Sequence, residues 1–192
     1  LLLPHSIVTI SIVTALLPRL SSFVIDKKID ELKGALATAL RYVGIITVPA
    51  SIFFLLFGER VAEAIFFGIT DESAIYIGRL LSAMALGLIP LSINLVLIRG
   101  LNAFENTKYQ VISNLVINIV AVTLSLIAYS NMEARSVTVG LALAFTASYW
   151  CGIVVTYFLL RKYTGVLALR ALLFFYLKVI LASTISVLLV AY

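Results

Sequence analysis

Apolar residues in this chain come in long unbroken runs, where a water-soluble fold would alternate them or confine them to narrow stripes. Five runs stand out between short polar stretches: Ala35 to Phe57, Ser73 to Ile98, Tyr109 to Tyr129, Val137 to Leu160 and Ala171 to Tyr192. Each holds about twenty residues or slightly more, the length a helix needs to cross roughly 30 Å of hydrocarbon. Ahead of them, Leu1 to Leu17 is apolar but interrupted by Pro4, His5, Ser6, Thr9, Ser11 and Thr14. It lacks the basic leader and small-residue cleavage site of a secretory signal, and it reads as the end of a span whose beginning lies outside this sequence. The pattern predicts an all-α fold, a polytopic transmembrane helix bundle forming one unit over residues 1–192 of a longer chain.

One stretch has a different period. Ile25, Ile29, Leu32 and Leu36 recur at helical spacing, with Asp26, Lys27, Lys28, Asp30, Glu31 and Lys33 on the remaining positions. Such an amphipathic segment suits the membrane surface, its charges solvated. The spacing of Lys27 and Glu31 predicts a helical ion pair worth about 0.3 kcal/mol.

Composition agrees with the pattern: 62% of residues are hydrophobic, 12% are charged, and the mean hydropathy is +1.15. Soluble domains carry roughly 25% charge. The charges that remain set the orientation, because Lys and Arg near span ends stay on the cytoplasmic side. Arg19, Lys27, Lys28, Lys33 and Arg41 fall in one connection, Arg99 and Lys108 in the next on that side, and Arg161, Lys162 and Arg170 in the third. The alternate connections hold Arg60, Arg79 and Arg135 among Glu59, Glu63, Asp71, Glu72 and Glu133, and so face outward. Membrane topology therefore accounts for the net charge of +5 without a nucleic-acid partner.

No Gly-rich phosphate loop, HExxH helix or Cys/His cluster of zinc spacing occurs, so no cofactor, metal site or enzymatic centre is expected. His5 stands without a neighbouring carboxylate and is assigned to helix packing. Cys151 is the single cysteine and lies within a predicted span, which excludes an internal disulfide. All nine acidic residues fall in connections or at span ends, so no complete span carries the central carboxylate typical of ion-coupled exporters. Lys178 lies deepest in a span, about two turns from Ala171, and is expected to snorkel to the interface.

Neutral polar residues are more informative. Asn114, Asn118, Ala121 and Ser125 fall on one helix face, which must meet protein or water; interhelical hydrogen bonding is the simpler reading and a hydrated transport cavity the functional one. Ala144, Ser148 and Gly152 make a small-residue face where a second helix can approach closely.

Two motifs then carry a family likeness. Leu3-Pro4-His5-Ser6-Ile7, continuing through Thr14-Ala15-Leu16-Leu17-Pro18-Arg19-Leu20-Ser21, resembles the P-x-x-I/V start and T-x-L-x-P-x-L-S end of a span in the lipid II flippases, the MviN/MurJ family. Arg99-Gly100-Leu101-Asn102-Ala103-Phe104 with Thr107-Lys108 resembles that family's R-x-F-Y-A and T-K/R-x-P landmark, with Leu101 and Asn102 in place of the aromatic pair and Gln110 in place of the proline.

The resemblance implies a two-lobed MOP/MATE-like transporter fold working by alternating access. The partial span would be the eighth helix and the last run the thirteenth, and two further helices beyond the two six-helix bundles would form a lipid groove. It further implies a multi-pass protein of the bacterial plasma (inner) membrane that carries lipid II, a lipid-linked cell-wall precursor, to the outer leaflet. Its partners would be that precursor, membrane lipids and the N-terminal lobe of the same chain. The family's main cavity arginines lie ahead of this sequence. Within it, Arg99, Lys108, Asn114 and Asn118 are the substrate-binding candidates. Pro4, Thr14, Pro18 and Thr107 match structural positions, the prolines being expected to kink or end their helix. A polysaccharide-lipid flippase, a multidrug exporter of the same superfamily, or a non-transporting membrane scaffold are the alternatives.

The charge asymmetry makes topology testable. A cysteine introduced at Lys28 or Lys162 should react with a membrane-impermeant thiol reagent only from the cytoplasmic side, and one at Glu72 only from outside. Labelling at Lys28 from outside in intact cells would reverse the orientation.

Overall fold

The computed structural model describes residues 10–191 apart from 67 and 69; Pro4 and His5 lie outside the described residues. Six helices follow one another: α1 Ile10–Ile25, α2 Ile29–Ile65, α3 Asp71–Asn102, α4 Thr107–Asn131, α5 Ala134–Thr164 and α6 Leu169–Ala191. Each of α2 to α6 contains a window long and apolar enough to cross a membrane, and no strand occurs among the described residues. The protein is a multi-pass membrane helix bundle.

All five apolar runs became helices, but the helices overrun them. α2 has 37 residues, about 55 Å at 1.5 Å per residue, well beyond the thickness of the hydrocarbon. Hydropathy marks only the lipid-immersed part of a helix, while the ends continue into the interface on ordinary backbone hydrogen bonds.

The segment expected at the membrane surface is corrected by this continuity. α1 and α2 are separated by a turn at 26–28 in which Lys27 takes a left-handed φ of 58°, and Ile29 onward belongs to α2. Leu32 and Leu36 are fully buried, packed among Leu20, Leu97, Leu101 and Leu160 in a core at the end of the bundle that holds the α1–α2 and α3–α4 connections. Their apolar face meets protein because α1 and α3 flank it, so nothing is left for lipid to cover. The pairing of Lys27 with Glu31 fails for the same reason, since Lys27 is in the turn. Lys28 instead approaches Asp26 and Glu31 at 3.9 Å each, and Lys33 bonds Asp30 at 3.0 Å. Pro18 is likewise corrected as a terminator: it sits inside α1, which runs on to Ile25.

Close approaches fix how the helices cross. α2 departs from helical geometry at Phe57, with φ −113° and ψ 16°. Such a break frees carbonyls of the preceding turn, and Ser82 of α3 reaches them, its hydroxyl donating to Leu55 O at 3.0 Å and Phe54 O at 3.3 Å. A hydroxyl can do this only because Gly58 and Gly78 let the backbones touch. A Cβ on Gly58 would lie 2.6 Å from Gly78 O, and one on Gly78 2.6 Å from Glu59 Cα. Nearer the middle of the bundle Ser51 of α2 donates to Ala85 O of α3 at 2.6 Å.

The small-residue face of α5 packs as its composition predicts. Ala144, Ser148 and Gly152 are all buried, and Ile117 of α4 fills the space a Cβ at Gly152 would need. α6 rests on α2, where Tyr176 donates its hydroxyl to Leu40 O at 2.8 Å.

Gly78→Ala should therefore cost about 1 to 3 kcal/mol, the usual penalty of overpacking, because the added methyl meets backbone that cannot rotate away. Gly34 has nothing within 4 Å of its would-be Cβ, and Gly34→Ala should leave stability equal or higher. Thermal melts of the intact protein in detergent compare the two, and equal melting temperatures for Gly78→Ala and the parent would contradict the close crossing.

Candidate functional site

The tight connection between α3 and α4 gathers the residues of the second motif, among them Arg99, Thr107 and Lys108, at one end of the bundle. α3 closes with Ala103 N–H on Arg99 O at 3.1 Å, followed by Phe104 N–H on Leu101 O and Glu105 N–H on Asn102 O. Glu105 takes a left-handed φ of 56°, and α4 starts at Thr107. Side chains of α5 hold this turn in place. Asn106 Nδ2 donates to Tyr163 Oη at 3.0 Å, the Phe104 ring stacks on Tyr163 with centroids 4.7 Å apart, and Tyr109 meets the same ring edge-on at 5.7 Å. Lys162 Nζ lies 6.0 Å from the Tyr109 ring.

Arg99 and Lys108 thus flank one pinned turn. Arg99 is half-buried in the last turn of α3, where the carbonyl end of the helix favours a cation. Its Nε is buried without a hydrogen-bond partner among the described residues, and so is Asn102 Oδ1 one turn on. A buried guanidinium donor of this kind calls for a partner, whether a water or a ligand oxygen. Lys108 and Thr107 are exposed at the start of α4.

Asn114 and Asn118 lie further along α4, and both are exposed. Asn118 Nδ2 donates to Asn114 O at 2.9 Å, a bond within one helix, while Ala121 and Ser125 are half-buried. α4 packs through a neighbouring face, Ser113, Ile117 and Ala128. The stripe therefore makes no interhelical joint in the described bundle. That joint lies one position away: Thr156 of α5 donates to Asn94 Oδ1 of α3 at 2.8 Å and shares a hydrogen bond with Ser113 of α4. These three side chains are 0 to 1% exposed. None of the three stands out by periodicity, although Asn94 is a lone amide inside an apolar run, a signal that a buried partner exists.

Of the remaining candidates, Thr14 and Pro18 are exposed on α1, more than eighty residues ahead of the α3–α4 turn along the chain. Lys178 is exposed, and its Nζ lies 4.6 Å from the centroid of Phe174. Phe174 is one turn nearer the start of α6, so the ammonium leans toward that end of the helix. Cys151 is a free, exposed thiol on α5. An apolar cleft of about 380 Å³ opens among α2, α3, α5 and α6, lined by Leu40, Ile93, Trp150, Tyr157, Leu173 and Leu177 among others.

The arrangement offers cations at the α3–α4 turn, amides part-way along α4 and an apolar cleft beside α6. It suits an amphiphile with an anionic head. A family model described as lipid II flippase MurJ matches residues 1–192. Among solved structures, one titled "Lipid II flippase MurJ, inward closed conformation" aligns with a TM-score of 0.78 at 21% sequence identity, covering 99% of this chain and 38% of that one. This chain accordingly spans well under half the length of the solved flippase, and the likeness to it is one of fold. With the family model matched from end to end, the chain belongs to the lipid II flippase MurJ family.

Proposed function

We propose that the intact protein moves lipid II, a pyrophosphate-linked peptidoglycan precursor, from the cytoplasmic to the outer leaflet of the bacterial plasma membrane by alternating access, leaving the precursor chemically unchanged. The observation that carries this reading is the half-buried Arg99 with its unpartnered Nε at the cytoplasmic end of α3. A pyrophosphate needs permanently charged donors in a fixed geometry, and guanidinium supplies them where ammonium supplies a point charge.

In this scheme Arg99 and Lys108 meet the incoming pyrophosphate, Asn114 and Asn118 offer hydrogen bonds to the hydroxyl- and amide-rich head group, and the cleft beside α6 accommodates part of the hydrocarbon. Pro18 and Thr107 shape their helices, and Pro4 and Thr14 belong to the same motif. The N-terminal lobe of the chain supplies the opposite wall of the cavity and its arginines. No part of this scheme makes or breaks a covalent bond in the precursor, which is why the protein is read as a transporter and not an enzyme.

Intact protein reconstituted into vesicles should transfer lipid II between leaflets, scored by its accessibility to an impermeant enzyme or label. Arg99→Lys should slow transfer about tenfold or more, the loss expected when a charge-assisted bidentate contact becomes a single one. Transfer at the parental rate by Arg99→Lys would remove Arg99 from the site, and no transfer by the parent protein would overturn the flippase reading.

A further inference from the structure

The last helix stands off from most of the bundle. Among the described residues no Cα atom of α6 comes within 8 Å of α1, α3, α4 or α5, and α2 is its packing partner. The gap on the other side is the apolar cleft of about 380 Å³. Across it, Trp150, Ile153 and Tyr157 of α5 confront Leu173, Leu177 and Ile180 of α6, each set spaced three or four residues apart and so lying on one helix face. Stripes of this kind ordinarily pack together with helix axes roughly 8 to 10 Å apart. Here they face one another without closing.

Two features hold α6 where it is. At its foot Gly165 has φ 74° and ψ −158°, a region open essentially to glycine alone, and residues 166–168 are not helical. Leu167 and Leu172 fix this foot in the leucine-rich core. One turn above Leu172, Tyr176 crosses to α2, its hydroxyl donating to Leu40 O at 2.8 Å. The ring occupies space that Gly44 leaves free, since a Cβ there would lie 2.9 Å from Tyr176 Cε1 and Cζ. Leu40 O is four residues before Gly44 and serves the helix's own ladder, so the tyrosine takes its second lone pair. In hydrocarbon no water competes for that hydroxyl.

We propose that α6 is a strap that closes over the cleft, hinged at Gly165 and held open by the Tyr176 latch on α2. Releasing the latch frees α6 to roll about α2 and lay its stripe on that of α5. The open cleft is then exchanged for direct helix packing, the contact that drives association in lipid. Hydrocarbon inside the cleft supplies the same contacts to both stripes and keeps the strap open, and emptying the cleft removes them. The body on which α6 moves is firmly tied: Tyr76 bonds Thr138 and Thr156 bonds Asn94 between α3 and α5, while Ser51 and Ser82 join α2 to α3. Hinge motion of one element over such a body needs only a few backbone positions to yield. The link to transport rests on the reading that the cleft takes part of the lipid II hydrocarbon; the movement itself does not.

Pulsed electron paramagnetic resonance on the intact protein in nanodiscs tests the strap, with nitroxides on Leu126→Cys of α4 and Leu188→Cys of α6 after Cys151 and any other native cysteine are replaced by Ala. Both labelled positions are exposed and neither lines the cleft. The parent should show chiefly one separation. Tyr176→Phe keeps the ring and removes only the hydroxyl, and it should raise the share of a shorter separation about threefold, the scale of one interhelical hydrogen bond in a membrane. Gly44→Ala, whose methyl pushes the ring from its seat, should raise that share at least as much. Tyr76→Phe removes a tie between α3 and α5 instead and should leave the distribution as in the parent. An unchanged distribution for Tyr176→Phe, or an equal shift with Tyr76→Phe, would overturn the strap. A shorter separation in Tyr176→Phe with lipid II transfer unchanged would leave the strap standing and remove the transported hydrocarbon from the cleft, so the two readings fail separately.

Discussion

Inside a bilayer a polar atom has no water to turn to, and every helix contact in this bundle is organised around that constraint. Asn94, Thr156 and Ser113 satisfy one another across α3, α5 and α4. Ser82 answers the carbonyls left by the break at Phe57, Ser51 answers Ala85 O, and Tyr176 answers Leu40 O. Each such bond is worth only about 0.6 kcal/mol on average. Their importance lies in direction, since apolar packing alone does not choose a register and a hydroxyl that must find one carbonyl does.

Small residues make those bonds possible. Gly58 and Gly78 bring the backbones of α2 and α3 into contact beside Ser82, and Gly152 admits Ile117 one turn from Thr156. The result is a lobe with a leucine-rich core beside the α3–α4 connection and a polar seam through its middle. The α3–α4 turn inherits its rigidity from this lobe through the Phe104, Asn106 and Tyr163 contacts, which is what keeps Arg99 in place while nothing among the described residues bonds its Nε.

Much of this was legible in the sequence. Long apolar runs located five helices because lipid solvation depends on composition and length. The family motif around Arg99 marked a turn that the structure holds against Tyr163 through Phe104, Asn106 and Tyr109. What composition does not encode is which neighbour covers a face. Leu32 and Leu36 look the same in sequence whether lipid or protein covers them, and only the return of α1 and α3 buries them. Ser113 and Asn114 differ by one position and about 100° of helix rotation, so a stripe of amides pointed to the wrong side of α4 for packing. Asn94 could have been singled out as a lone amide, but its partners Thr156 and Ser113 are ordinary residues until the helices are assembled.

The exposed amides on α4 connect the fold to its proposed work. A transport path through the membrane needs a polar face that the lobe does not bury for itself, and the proposed function assigns that part to the exposed Asn114 and Asn118. Ile119 lies at the same depth, about 100° round the helix, and is 56% exposed. The most direct measurement is water accessibility of these two positions in the intact protein with Cys151 replaced by Ala. A small water-soluble thiol reagent should label Asn118→Cys and leave Ile119→Cys untouched. Labelling of Ile119→Cys with Asn118→Cys protected would contradict a hydrated path along α4, because the amide stripe would then be packed or in lipid and the cavity would lie elsewhere.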